Sequence, residues 1–434
     1  MVSVDSSGVL VSGGQKVFPI NVSQPPPLGG KTADGQDAFK ELASGGVSFL
    51  RVGRSNWDLA AIDAQLDDAE KWLKAAADAG MQVWLWLGEQ PVLSGPNAAT
   101  NEQVITKIVN RFKNHPGLGA YKGIDEPHNP VGRKKRVQGK LVPNPVDPQG
   151  MAKAYRLVKK LDPGHPIVII HEPVSKLADL KPYAASGDIF GADIYPISYP
   201  PGAHAYMPGT PAGQGNRDLS LVGDLTDRIA QASGPRKMIW MTLQIAWSGV
   251  SPTADRPTLV PRFPSLFDQR FMVYHAIVCG ARGLTFFGGH VTDVMRPRDA
   301  KTGWNWTFWD LVLRPLLGEL RSTAVAPILV APNARDKVAA NSKDIELVAR
   351  RDGGFLYVVA VRRGGSTSQV TFSGLPKKIG AGQVLFEYTQ DPLPGPRSKP
   401  GGAAQQVFRG VNVDGGAFRD WFAPHDVHVY RFQV

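Results

Sequence analysis

The sequence predicts an α/β fold: a (β/α)8 TIM barrel over residues 1–324, followed by a small antiparallel β-sandwich domain over 325–434. Three observations predict it. Eight short apolar runs alternate with helix-period segments between residues 17 and 322. Such alternation makes a parallel sheet with both faces covered, and a count of eight favours closure into a barrel. An open doubly wound sheet would place a glycine-rich phosphate loop after the first run. That position reads Asn21-Val22-Ser23-Gln24-Pro25-Pro26-Pro27, without the fingerprint. Beyond residue 325 the helical period gives way to short β runs separated by paired glycines.

The apolar runs lie at 17–22, 47–52, 81–87, 118–124, 166–170, 188–194, 238–243 and 283–287. Among the intervening helices, 101–113 places Val104, Ile105, Ile108, Val109 and Phe112 on one stripe, and Asn114-His115-Pro116-Gly117 stops it. Segments 63–79, 151–161 and 265–279 read the same way, and a further helix spans 306–320. Pro327 and Pro332 mark the joint to the β domain. Its strands are expected at 345–349, 355–361, 369–372, 384–388 and 427–432, with Gly353-Gly354 and Gly364-Gly365 as hairpin turns.

Composition narrows the function. Of 434 residues, 42% are hydrophobic and 20% charged, which is globular rather than disordered. A single cysteine, Cys279, excludes an intramolecular disulfide framework and a multi-cysteine zinc site, and it reads as buried and inert on an apolar helix face. No Walker A sequence and no metal motif occurs, so no cofactor is implied. No run of eighteen apolar residues is present, so no membrane-spanning helix is expected. Residues 1–14 are polar and glycine-rich, without the architecture of a signal peptide. The location is secreted or periplasmic if a signal peptide has been removed, and cytoplasmic otherwise. The net charge of +11 reads first as solubility. The densest basic run, Arg133-Lys134-Lys135-Arg136, lies in a Gly/Pro-rich stretch without aromatic neighbours. That argues against nucleic acid and hints at an acidic or phosphorylated glycan. The oligomeric state is not encoded in any readable pattern.

In a (β/α)8 enzyme the chemistry sits where the βα loops leave the strands. Those ends carry Arg51, Arg54, Glu89, Asp125, Glu126, His171, Glu172, Asp193, Tyr195, Gln244, Trp247 and His290. Several carboxylates with tryptophans nearby point to acid/base work on a sugar, where two carboxyl groups flank the glycosidic bond. Asp125 and Glu126 are adjacent, so their titrations couple if both face the site. Trp86 at a strand end, Trp247, and the loop residues Trp304 and Trp306 are candidates for stacking on a sugar ring.

The stretch Asn114-His115-Pro116 to Ile124-Asp125-Glu126-Pro127 resembles the fourth-strand motif of clan A glycoside hydrolases. There a helix ends in Asn-His-Pro and the next strand carries the acid/base glutamate before a proline. Gly280-Ala281-Arg282-Gly283-Leu284 to Phe287 is similar to the eighth strand of uncharacterised bacterial members, and Asp193-Ile194-Tyr195-Pro196 fits the sixth. The resemblance covers residues 17–320. It implies a glycosidase acting on a poly- or oligosaccharide, with Glu126 as general acid. With the strand-end reading, the sugar is expected to be held by Asp125, Arg51, Glu89, Tyr195, Gln244, His290 and the tryptophans.

Two departures stand out. Asp125 replaces the family's asparagine, and the neutral Gln244 occupies the seventh-strand position of its nucleophile. The second carboxylate is therefore expected from another strand end, Asp193 first, with Glu172 and then Glu89 in reserve. A separation from Glu126 of about 5–5.5 Å would give retention, and about 6.5–9.5 Å inversion. Two alternatives remain open. One is an Asp-Glu pair like that of hexosaminidases, in which the aspartate orients a substrate acetamido group. The other is a glycan-binding protein without catalysis.

Overall fold

The computed structural model of the chain describes residues 2–197, 219–246, 254, 263–291, 295–388 and 406–434. All eight expected runs form parallel strands: β1 (Ile20–Ser23), β2 (Phe49–Gly53), β3 (Gln82–Trp86), β4 (Leu118–Asp125), β5 (Ile167–His171), β6 (Ile189–Ile194), β7 (Met238–Gln244) and β8 (Gly283–Phe287). Each pairs with the next and β8 returns to β1, so the barrel is closed. Alternate residues point inward. Phe49, Trp84, Ala120, Val168, Ile170, Ile189, Met238 and Trp240 fill the interior.

Three short antiparallel strands precede the barrel: Val2–Val4, Leu10–Ser12 and Gln15–Val17. Val2 and Leu10 join the interior cluster. Ser12 Oγ donates to Gln82 Oε1, at the start of β3, at 3.2 Å. The polar, glycine-rich N-terminus is thus a plug at the strand-start end of the barrel. Its strands are three residues each, too short for a period to be legible.

Several helices begin at side-chain caps. Asp147 accepts from the N–H groups of Gln149 and Gly150, Pro148 takes the first position, and the helix runs Pro148–Leu161. The helix Ala98–Phe112 buries the predicted stripe of Val104, Ile105, Ile108, Val109 and Phe112. Among the described residues no helix is long and apolar enough to cross a membrane.

The chain divides into two compact units. The first is Met1–Arg217, Leu225–Phe263 and Ala281–Trp306; the second is Asp218–Asp224, Pro264–Gly280 and Thr307–Val434. The second unit holds a five-stranded and a three-stranded antiparallel sheet. They share one apolar core that includes Leu356, Val358, Phe372, Phe418, Tyr430 and Phe432. Gly353 and Gly354, with φ of +53° and +81°, form the tight turn between Ile345–Asp352 and Phe355–Arg362. Three strands escape the sequence pattern, Ala339–Ala340, Gln406–Asn412 and Phe418–Phe422. The last alternates Phe418, Asp420 and Phe422 inward, and the buried Asp420 disguises the pattern.

Candidate active site

A cavity of about 380 Å³ opens at the C-terminal ends of the strands. Its acidic wall is β4, and two local features of that strand aim the side chains. Val168 of β5 pairs with Lys122, but Ile170 pairs with Asp125, so β4 carries one extra residue between them. A one-residue bulge reverses the parity of everything after it. Lys122 and Asp125, three apart, therefore both face the cavity. Glu126 then adopts φ of +44°. For a non-glycine residue this left-handed conformation costs on the order of 1 kcal/mol and needs support from its surroundings. Its N–H donates to Ile170 O at 2.8 Å. Arg133 donates to the carbonyls of Glu126 at 2.8 Å and Asp125 at 2.6 Å. Glu89 grips the same guanidinium at 2.8 and 3.0 Å. The outcome is that adjacent Asp125 and Glu126 line the same cavity.

Charges in the cavity are unevenly matched. Lys122 is 2% exposed. Its Nζ donates to Asp125 Oδ1 at 2.5 Å, and Arg51 Nη1 lies 3.8 Å from Oδ2. Both cations lie over the Trp86 ring, at 5.6 and 4.8 Å from its centroid. Burial pulls the Lys122 ammonium below its ordinary range, against the pull of Asp125. Burial pushes the Asp125 carboxyl up, but Lys122 and Arg51 outweigh it and keep the group ionised. For Glu126, burial and then the Asp125 charge push the carboxyl up to about 7, opposed by a hydrogen bond from Asn129. Asp193, facing in from β6, is pushed well above the carboxylate range by burial and by its two acidic neighbours. Tyr195 and Thr242 hydrogen-bond to it, and the Tyr195 ring stacks on Phe287 at 5.4 Å.

The other expected site residues take different places. Glu172 is 2% exposed and is not among the lining residues. It accepts from Ser175 Oγ, lies 3.7 Å from His128 Nδ1, and is pushed up by burial. Glu89, expected to hold sugar or serve as a reserve carboxylate, instead pairs with Arg133, and Arg54 pairs with Asp68. Gln244 is fully buried: its amide accepts from Ile197 N at 3.0 Å and donates to Ile197 O at 2.8 Å, fastening the chain beyond β6. His290 packs edge-on against Phe287, with its basicity lowered by burial and by Arg51. Trp304 and Trp306, expected to offer stacking faces, are instead 0% exposed. Their rings pack together at 4.8 Å, and Trp304 Nε1 donates to Gln24 O, so these loop aromatics are core. Trp247 lies outside the described residues.

Sequence reasoning missed Lys122, Asn129 and Arg133. Lys122 had a signal: a lysine within the apolar run Leu118–Asp125 is a buried charge that needs a partner. Cys279, expected to be buried and inert on an apolar helix face, is only half-buried, and its Sγ lies 3.3 Å from Glu346 Oε2 in the second unit. His275, Cys279 and Glu346 have ligand atoms within 4.8 Å of one another. Arg363 already bonds that carboxylate at 2.7 Å, which does not suit a cation site.

No family model matches the sequence, and no curated protein matches it. Solved structures do match along the whole chain. A glycoside hydrolase family 5 protein from Bacteroides vulgatus ATCC 8482 superposes with a TM-score of 0.61 at 12% identity, covering 100% of this chain and 92% of that one. A GH30 endoxylanase from Clostridium papyrosolvens C71 gives 0.50 at 12%, with 100% of both chains covered. An alpha-amylase from Geobacillus thermoleovorans gives 0.51 at 11%, covering 96% and 98%. At such identities the likeness shows the fold. In fold the chain is like these glycoside hydrolases: a closed parallel eight-stranded barrel, followed in this chain by antiparallel sheets.

Proposed function

We propose that the chain hydrolyses a glycosidic bond in a poly- or oligosaccharide, with Glu126 as general acid. The observation that carries the reading is that three carboxyl groups converge on one cavity with different protonation. Lys122 and Arg51 keep Asp125 ionised, burial and the Asp125 charge push Glu126 up to about 7, and burial and its acidic neighbours push Asp193 well above the ordinary carboxylate range. Environments that push neighbouring carboxyl groups apart are how one site obtains both an acid and a charged partner. Glu126 protonates the leaving oxygen. The ionised Asp125 stabilises positive charge developing on the ring. Asp193, reached from β6, is the second carboxylate: it releases its proton to bulk solvent before attacking the anomeric carbon, while the leaving oxygen takes the Glu126 proton. Trp86 forms a face for the sugar, with its ring backed by Arg51.

One observation favours a second assignment. Asp125 is the carboxylate already charged, as the Asp-Glu pair of a substrate-assisted mechanism requires. The test is reducing-end release from a panel of plant, bacterial and fungal polysaccharides by wild type, Glu126→Gln, Asp193→Asn and Asp125→Asn. Loss of roughly a hundredfold or more in Glu126→Gln supports the acid role. Azide rescue of Asp193→Asn, with a glycosyl azide as product, identifies Asp193 as nucleophile. Activity confined to 2-acetamido sugars selects Asp125 instead. A wild type that binds glycans but releases no ends from any of them would leave a binding protein.

A further inference from the structure

Between Pro127 and Val146 there are five Lys or Arg residues and no Asp or Glu. Set against a net charge of +11 for the whole chain, these twenty residues hold nearly half. They form a hairpin of Lys134–Val137 and Lys140–Pro143, paired Lys134↔Pro143 to Val137↔Lys140. The root of the hairpin is fixed to the cavity wall. Arg133 binds the Asp125 and Glu126 carbonyls, Asn144 N donates to Arg133 O, and Val146 N donates to Pro127 O. Asn129 ties the same root to the Glu126 carboxyl and caps Val131 and Gly132. The remaining four cations, Lys134, Lys135, Arg136 and Lys140, are all exposed. Among the described residues none of them is in an ion pair.

We infer that this hairpin is a binding arm for a polyanionic glycan, a saccharide chain bearing carboxylate or sulfate groups, running out of the cavity. The inference rests on the hydrolase reading and names its substrate class. A four-residue strand reaches roughly 13 Å, beyond a Debye length of about 8 Å at physiological salt. The far end of the arm, with Arg136 and Lys140, therefore acts on sugar units flanking the reacting one. Val137 and Leu141, 45% and 58% exposed beside the cations, suit the C–H faces of such a chain. The segment 127–146 contains no Phe, Tyr or Trp on which a base could stack, which favours a glycan over nucleic acid.

The test is binding of the full chain to polygalacturonate, to the same polymer fully methyl-esterified, and to duplex DNA, from low salt to about 0.2 M. Wild type is compared with the combined variant Lys134→Ser, Lys135→Ser, Arg136→Ser, Lys140→Ser, and thermal melts check that both are folded. The expected result is at least tenfold tighter binding of the acid form than of the ester, weakening about tenfold over that salt range, with most of this lost in the folded variant. Equal binding of acid and ester overturns the inference. So does a folded variant that binds like wild type, or tighter binding to DNA. Failure of the two readings is separable. Salt-dependent binding of polygalacturonate without any cleavage keeps the arm and removes the hydrolase. Cleavage of a neutral glucan without affinity for the polyanion does the reverse.

Discussion

The cavity at the barrel mouth and the cluster around Asp420 in the second unit are built from the same kinds of group and resolved in opposite ways. Asp420 is 5% exposed. It receives Arg409 at 2.9 and 2.7 Å, His428 at 3.0 Å and Tyr430 at 2.7 Å. Burial pushes its carboxyl up, and those donors outweigh burial and hold it far below the usual range. Glu346 is treated alike: His275 and Arg363 overcome burial and bring it down to about 2. At the mouth, three carboxyl groups face two cations, and only Asp125 is matched. Glu126 and Asp193 are both pushed above the ordinary carboxylate range, by burial first. Buried acids are ordinary where donors outnumber them; where they do not, the mismatch is what the proposed acid/base role of Glu126 draws on.

The largest way to break this comparison is Glu126→Gln. The expected loss in kcat/KM is on the order of 10² to 10⁴. Wild-type activity should fall as pH rises through about 7, where Glu126 loses its proton, and the residual activity of the variant should lack that limb. Stability should move the other way. The folded chain keeps a proton up to about 7 that the unfolded chain releases near the ordinary 4.5. Native protein then binds more protons across that window, and wild-type stability declines through it. Denaturant midpoints at pH 5 and pH 8 should differ more in wild type than in Glu126→Gln; identical differences would remove the raised acid from the account.

Asp420→Asn should do the reverse, costing about 2–3 kcal/mol of stability while leaving kcat unchanged. Its folded carboxyl is depressed, so the stability it contributes is present above the ordinary carboxylate value and is lost as pH falls through the folded one. Chemical denaturation at pH 7 and pH 3 reads both effects: the penalty should be larger at pH 7. A penalty that stays constant with pH would show that the lost contacts, not the charge, matter.

A smaller effect sharpens the difference from inside the cavity. Asp125→Asn removes the negative charge that helps raise Glu126. The basic limb of the activity profile should move down by roughly one pH unit. It should not vanish, because burial remains the larger cause. The variant also leaves Lys122 with a weaker partner, so a lower melting temperature is expected alongside the shift. A limb that stays in place would mean that the two side chains do not sense each other.

Much of this architecture is legible in the amino-acid sequence. Eight apolar runs count the strands, and the strand-end rule finds Arg51, Asp125, Glu126, Asp193 and Tyr195, which the barrel brings to one cavity. Three facts are hidden from such a reading. A bulge between Lys122 and Asp125 obeys no residue code, yet it decides which side chains point inward. Exposure of an aromatic in a glycine-rich loop is a tertiary property, so Trp304 and Trp306 read as free and prove to be core. The anchoring role of Arg133 looks like solvated charge, because its partners are two backbone carbonyls and Glu89, forty-four residues away.

Gln244 gives the smallest and most specific prediction. By analogy with the family pattern, Gln244→Glu looks like the restoration of a lost nucleophile. The structure gives that position another task, since both ends of the amide are bonded to Ile197 in a fully buried site. A glutamate can still accept from Ile197 N, but when ionised it cannot donate to Ile197 O. The carbonyl loses its partner and a charge is buried without a cation, so the substitution should cost about 1–3 kcal/mol and release the segment that follows β6. Because Asp193 and Tyr195 lie on or just after that strand, the expected activity is lower than wild type rather than higher. Gln244→Met, similar in length, removes both hydrogen bonds without adding charge, and separates the loss of the fastening from the burial of a carboxylate. If Gln244→Glu gained activity over wild type, the seventh-strand position would have to face the cavity, and the contrast between a working mouth and a fastening amide would collapse.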